Sequence, residues 1–473
     1  MRNAVHGALL AAFSAVLVSA CVSGSDWGKE RPRAPADLPA NRTLSGVQVD
    51  PASWPADTWW RAYGDPQLDA LIEQALAGSP SLEIAEARLH AARAQATTAR
   101  AARLPFTTVD GEVTRQRYPQ NGLYPPPYAG NSYTDGRLAL DFSYDIDFWG
   151  LQRAQFQAAG AGVRAAEADR AAARLALAVA VTNAYIQLDL WYNLADVAQS
   201  NLDQQTAIRD LTQQRVNAGL ENTARVKQSE SLLALTRAGL DAAQGSIALA
   251  QNQLGALVGA GPDRGLDLKR PHLTAPASLA LPSRLPVDLL GRRPDIVASR
   301  WRVEAAARGV AAGKAAFYPN VNLTAFAGVQ SIGLDKLIEG SDRIFGLGPA
   351  LSLPIFNRGA LRGALQGQQA QYDLAVGEYN QTLIDSMHQV ADVVANWQAL
   401  ERETTEQQTA LEAAQRSYDL TRQRYGAGLD NYLTVLSSEN QVLVSQALGA
   451  ALQARRLTFS TDLIRALGGG YSG

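Results

Sequence analysis

The sequence predicts a mainly α-helical chain, built as an internal duplication, that lends β-strands to a membrane barrel shared between copies. Three observations carry that expectation. A short turn is written twice, as RVNAGLEN at residues 215–222 and RYGAGLDN at residues 424–431. Each copy stands inside a long proline-free stretch, residues 128–261 in the first half and residue 355 onward in the second. Near the start of the first stretch, residues 137–147 read RLALDFSYDID, apolar and charged by turns.

The duplication reaches well beyond the turns. SPSLEIAEARLHAARAQATTARAARLPF (79–106) falls on RPDIVASRWRVEAAARGVAAGKAAFYPN (293–320) at one constant offset, Pro80 on Pro294 and Pro105 on Pro319. Self-similarity over such a length marks a repeat architecture.

Taken in order, residues 1–20 read as a signal peptide, because Arg2 precedes an apolar run from Ala8 to Val18 that is too short to span a bilayer. Cleavage is expected after Ala20. VSAC at residues 18–21 resembles a bacterial lipobox, and Cys21 is the sole cysteine of the chain. Cys21 is therefore expected to carry lipid, diacylglycerol and palmitate, and to begin the mature protein; the alternative is an ordinary signal peptide with an incidental cysteine. By resemblance to sorted lipoproteins, Val22 in place of Asp points to the outer membrane. Residues 21–58 then form a lipidated, extended N-terminal segment.

The first repeat spans 59–257. It holds a helix that begins at Pro80, in the first-turn position that tolerates proline. Two strands follow, about 107–118 and 133–148, around the aromatic loop YPQNGLYPPPYAGNSY, and then a long helical hairpin with its tip near 217–222. A Pro-rich connector, 258–286, carries Pro262, Pro271, Pro276, Pro282 and Pro286, so regular helix cannot run far in it. The second repeat, 287–473, repeats the order, with strands at about 319–330 and 343–355 and a tip near 426–431.

Period-two alternation places Leu138, Leu140, Phe142, Tyr144 and Ile146 on one strand face, and Arg137, Asp141, Asp145 and Asp147 on the other. Apolar residues toward lipid and charge toward a wet lumen is the barrel pattern. Four strands cannot close a barrel, and an open edge in lipid leaves backbone groups unpaired at several kcal/mol each. Several copies must therefore share one barrel. No window approaches 18 consecutive apolar residues after the signal, so no transmembrane helix is expected.

A helix from near Gly150 to Arg215 would be about 100 Å long, far beyond a globular core. The returning helices carry Val226, Leu233, Leu240, Ile247 and Leu254, and Leu436, Leu443, Ala450 and Leu457, at sevens, as coiled seams do. Between the paired helices Gly219 and Gly428 suit a left-handed cap, Leu220 and Leu429 fold back on the last turn, and Asn222 and Asn431 cap the returning helix. Arg215 and Arg424 also match, as do Glu221 and Asp430, which adds a partner-contact role to a turn that glycine alone explains.

Composition excludes other classes. The 473 residues are 47% hydrophobic and 19% charged, which suits neither disorder nor an inner-membrane bundle. A net charge of -2 gives no electrostatic reason for a nucleic-acid partner. His6, His90, His272 and His388 are scattered, and GxxxxGK[ST], HExxH, CxxC and GxSxG are missing. No catalytic residue, metal or cofactor is assigned, and an enzyme is not expected.

WWRAYGDPQLDALIEQAL (59–76), LPVDLLGRRPDI (285–296), GPALSLPIFNRGALR (348–362), RYGAGLDNYLTVL (424–436) and ALGGGY (466–471) resemble the signature stretches of the TolC-like outer-membrane efflux proteins, and within them the NodT-type lipoprotein branch. The resemblance covers essentially the mature chain. It implies a homotrimer in which each protomer gives four strands to a 12-stranded barrel, continued by a periplasmic α-barrel tunnel of long helical hairpins. It also implies a passive exit duct for drugs or toxic compounds. The implied partners are a periplasmic adaptor (membrane fusion) protein and an inner-membrane transporter of the resistance-nodulation-division type. A duct for type I protein secretion and a non-conducting structural lipoprotein are the alternatives. Relatives place Asp where this chain has Thr434 or Ser437, and the first repeat has Arg225 opposite Thr434. A carboxylate ring there is thus in doubt, and the aperture is expected to use Arg215, Glu221, Arg424 and Asp430 instead.

Overall fold

Prolines set where several of the helices begin. In the computed structural model, helix α1 (Pro66–Gly78) starts one residue after Asp65, whose carboxylate accepts the Gln67 N–H at 2.9 Å. Helix α2 (Pro80–Ala101) follows, and its second-repeat counterpart, called α5 below, is Pro294–Ala315. Residues 28–34, 37–40, 42–44, 48–49, 54–274, 280–282 and 290–472 are described. Ala20, Cys21 and parts of the connector lie outside the described residues.

The other long elements are strands β1 (Phe106–Arg117) and β2 (Ser132–Ile146), helices α3 (Leu151–Asn217) and α4 (Thr223–Leu257), strands β3 (Asn320–Ile332) and β4 (Arg343–Ser352), and helices α6 (Arg358–Gly426) and α7 (Tyr432–Ala466). β2 stops at residue 146 and not 148, where Asp147 turns to accept the N–H groups of Gln152 and Arg153 at the start of α3. β4 stops at residue 352 and not 355, because Pro354 has no N–H for a ladder. The chain forms two compact units, and each draws on both repeats. One gathers Ala96–Gly160 and Val303–Glu378 with the described residues up to Pro32, and the other gathers Arg33–Gln95, Ala161–Arg302 and Tyr379–Gly473.

The first unit holds an antiparallel sheet in the order β1-β2-β3-β4. Register sorts its side chains into two faces. Leu140 stands opposite Val109 and Ala327, Leu138 opposite Val329, and Tyr144 opposite Leu323, which in turn faces Pro349. Phe142 pairs across to Ala325 and then Leu347, and Ile146 to Val321 and then Leu351, so the middle of this face is mostly apolar, with Thr107 beside Phe142 and Arg115 and Arg343 toward the loop end. It is also uncovered: Val109 is 71% and Leu347 76% exposed. On the other face Arg137 lies opposite Glu112 on one side and Gln330 on the other, and reaches Asp141 at 2.8 Å. Where the strands meet the helices, Trp149 stacks on Tyr318 at 4.7 Å and donates to the Pro319 carbonyl, while Phe148 and Phe356 stand exposed.

The second unit holds the helical core. Trp59, Trp60, Tyr63, Leu68, Leu71 and Ile72 pack against Val181, Tyr185, Ile186 and Leu188 of α3, Leu254 of α4 and Leu457 of α7. Tyr185 donates to Asp65 at 2.7 Å, the same carboxylate that caps α1. By length and composition α3 could cross a membrane, contrary to the expectation above; its apolar stretch is instead the side that fills this core. Two signature stretches close the unit. Arg293, 5% exposed, donates to Asp295, to Gln389 on α6 and to the Ala466 carbonyl that ends α7. Gly468, Gly469 and Gly470 all have positive φ, and a Cβ on Gly468 would lie 1.9 Å from the Arg292 carbonyl oxygen.

The seam of α4 is buried at Val226, Leu233 and Leu254 and half-buried at Leu240 and Ile247. In α7 the stripe differs. Tyr432, Val435, Glu439, Val442 and Ser445 are buried and Leu436, Leu443 and Ala450 only half-buried, so near the tip the seam runs one residue earlier than the apolar sevens suggest, while Leu457 at the far end is fully buried as expected. At the first turn the Tyr432 ring packs against Tyr425 with 6.2 Å between ring centres.

Candidate functional site

Two identical backbone turns make the tips, and sequence dictates both. At Gly219, φ is 73°, and the Leu220 N–H returns to the Arg215 carbonyl at 2.9 Å; at Gly428, φ is 75°, and Leu429 returns to Arg424 at 2.9 Å. This six-to-one bond with a left-handed glycine satisfies the last carbonyls of α3 and α6. Asn222 then accepts the Arg225 N–H at 3.2 Å, and Asn431 the Thr434 N–H at 3.1 Å, which opens α4 and α7. Leu220 and Leu429 are left exposed, at 67% and 69%.

The charged residues close within their own turns. Arg424 reaches Asp430 at 3.2 Å, and the Asp430 carboxyl is held below its ordinary range by the Asn431 N–H, Thr434 and Arg424. Arg215 makes a looser pair with Glu221 at 4.0 Å. It also crosses to the other hairpin, with its guanidinium over the Tyr425 ring at 4.9 Å. Arg225 bonds Gln228 at 3.1 Å, Thr434 bonds Asn431, and Ser437 is exposed.

Behind the tips lies a cluster that sequence reasoning did not single out. Tyr418, Tyr425, Tyr432, Val435 and Val442 are buried together, with Ile208 of α3 packed on them. The hydroxyl of Tyr432 has no hydrogen-bond partner among the described residues, and burial pushes it up to about 12. One helical step further, Glu439 is 1% exposed and accepts from Gln205 of α3 at 2.9 Å; burial pushes its carboxyl up to about 7. A signal was present in the repeats. Tyr425 and Tyr432 stand where the first half has Val216 and Thr223, an asymmetry inside an otherwise matched turn.

The five residues Leu138, Leu140, Phe142, Tyr144 and Ile146 share the apolar face of the sheet. β1 and β4 each have one neighbour, so both outer edges present free backbone groups among the described residues. No group of His, Cys, Asp and Glu suited to a metal occurs among the described residues.

Comparison with known proteins gives one consistent result. A sequence model of the family described as outer membrane efflux protein matches residues 71–260 and 285–469, one stretch in each repeat. The fusaric acid resistance protein FusA of Burkholderia cepacia is 39% identical over 373 residues, covering 78% of this chain and 70% of that protein. The multidrug resistance outer membrane protein MdtP of Escherichia coli (strain K12) is 31% identical over 434 residues, covering 90% of this chain and 88% of that protein. The crystal structure of the outer membrane protein VceC from Vibrio cholerae superposes with a TM-score of 0.84 at 38% identity, covering 89% of this chain and all of that one.

Proposed function

We propose, from the premise that this chain belongs to the outer membrane efflux protein family, that three copies join their four-stranded sheets into one barrel and serve a tripartite pump as its exit duct. That the chain is an outer-membrane efflux duct follows from the family itself. The single observation that supports the shared barrel is the sheet with one apolar face, one charged face and two open edges. Aromatic Phe148, Trp149, Tyr318 and Phe356 at the strand ends suit the interfacial belt of such a barrel.

The cargo in this reading is small toxic organic molecules, as the names of FusA and MdtP suggest for those relatives. The energy comes from an inner-membrane transporter of the resistance-nodulation-division type, and a periplasmic adaptor meets the tips through Leu220, Leu429 and the paired charges of Arg215, Glu221, Arg424 and Asp430. Lipid on Cys21 anchors the mature N-terminus. The test is the native mass of protein extracted from outer membranes in mild detergent, with an acyl-chain assay on Cys21. A trimer bearing lipid is expected, and a monomer released without detergent would defeat the shared barrel. Arg424→Ala with Asp430→Ala is expected to raise single-channel conductance in planar bilayers; unchanged conductance would remove those charges from the aperture.

A further inference from the structure

Glu439 and Glu230 occupy the same place in the two repeats, eleven residues after Gly428 and Gly219 respectively. Their surroundings differ completely. Glu230 is exposed on α4 and pairs with Lys227 at 2.8 Å. Glu439 is buried on α7 and, among the described residues, pairs with no cation. What faces it is neutral: the Gln205 amide from α3, and the phenols of Tyr418 on α6 and Tyr432 on α7. Arg422 on α6 lies over the Tyr418 ring at 6.0 Å, Arg225 on α4 acts on the Tyr432 phenol, and Arg209, one turn after Gln205 on α3, pairs with Asp210 at 3.1 Å.

The hydrogen bonds around this pair are unfinished. Gln205 donates to Glu439 Oε2, which leaves Glu439 Oε1 and Gln205 Oε1 both buried and, among the described residues, both without a donor. Two orphaned acceptors in a dry site are costly. One proton on Glu439 Oε1 serves both, since a carboxylic acid and a carboxamide can pair through two complementary hydrogen bonds. Removal of that proton leaves an uncompensated charge between helices of different hairpins.

We propose that Glu439 is a proton-controlled latch between the two hairpins: protonated, it ties α7 to α3 through Gln205, and ionised, it drives the hairpins apart behind their tips. The direction follows from linkage. The packed carboxyl titrates near 7, and once solvated it returns to its ordinary value of 4.5. The latch is fully engaged below the solvated value and is lost as pH rises through the packed one. A fall in pH therefore tightens the hairpins and a rise loosens them.

The test is peptide-level hydrogen exchange on the intact detergent-extracted protein between pH 5.5 and 8.5, corrected for the intrinsic pH dependence of exchange. In the wild type, protection of peptides around Gln205 and Glu439 is expected to fall about tenfold to a hundredfold across that range. Glu439→Gln keeps the shape and can still hydrogen-bond Gln205 but cannot ionise, and its protection is expected to stay flat. Gln205→Leu, which removes the partner without adding charge, is expected to lower protection at pH 5.5. A wild-type fall that persists in Glu439→Gln, or no fall in the wild type, would overturn the latch. The readout needs no conductance, so failure here is distinguishable from failure of the shared-barrel reading.

Discussion

At Gly468 the backbone has φ of 93° and the Arg292 carbonyl stands where a side chain would begin. Both constraints act together, since the left-handed region strains an L-residue and the close approach leaves no room for relaxation. Gly468→Ala is expected to destabilise the helical unit by about 2 kcal/mol or more, seen as a lower Tm of the detergent-extracted protein. Arg293 is the nearby polar counterpart. Its guanidinium supplies donors to Asp295, Gln389 and the end of α7 at once, so Arg293→Met strips one contact from each of three helices. A loss of about 2–3 kcal/mol is expected, with the same Tm readout. Both residues belong to signature stretches, yet what they hold is the closure of a repeat. Their roles were not legible in the sequence, because a buried arginine and a surface arginine are spelled alike.

Among the elements, the strands were the most readable and the helix seams the least. Strand faces follow from a period of two, so Leu138 to Ile146 sort by counting alone, and register only adds which neighbours share the face. This makes a paired prediction possible. Leu140→Arg puts a charge on the apolar face and is expected to cost about 2–4 kcal/mol of barrel stability, whereas Asp141→Asn on the opposite face is expected to cost less than about 1 kcal/mol. Heat-dependent mobility of the assembly in detergent gels reads both. Helix seams in long hairpins have several near-equivalent stripes, and tertiary contact chooses among them. In α7 the choice fell on Tyr432, Val435, Glu439 and Val442, a stripe that includes a carboxylate no hydrophobic pattern would nominate. The turns between helices were legible for a different reason: a left-handed glycine and a capping asparagine are local requirements.

On the scale of the whole molecule, the duplication was legible but its interweaving was not. A repeat reads as two halves, and the fold does not divide that way. β2 of the first repeat pairs with β3 of the second, and the helical core joins Trp60 and Tyr185 to Leu457. Residues 59–257 and 287–473 expressed apart are therefore expected to be protease-sensitive, and coexpression is expected to restore a resistant product of the native mass. Protection of either half alone would show that each repeat folds by itself. The even number of strands has a consequence of its own. Because every neighbouring pair is antiparallel, β1 and β4 run in opposite directions. The free edge of one copy can thus receive the opposite free edge of the next by rotation alone, in the same antiparallel sense as the rest of the sheet. Joining like edges by a two-fold axis would instead invert one copy and send its strand-connected helices to the far side of the bilayer. The strand count therefore fixes the polarity of assembly: every subunit enters the membrane facing the same way.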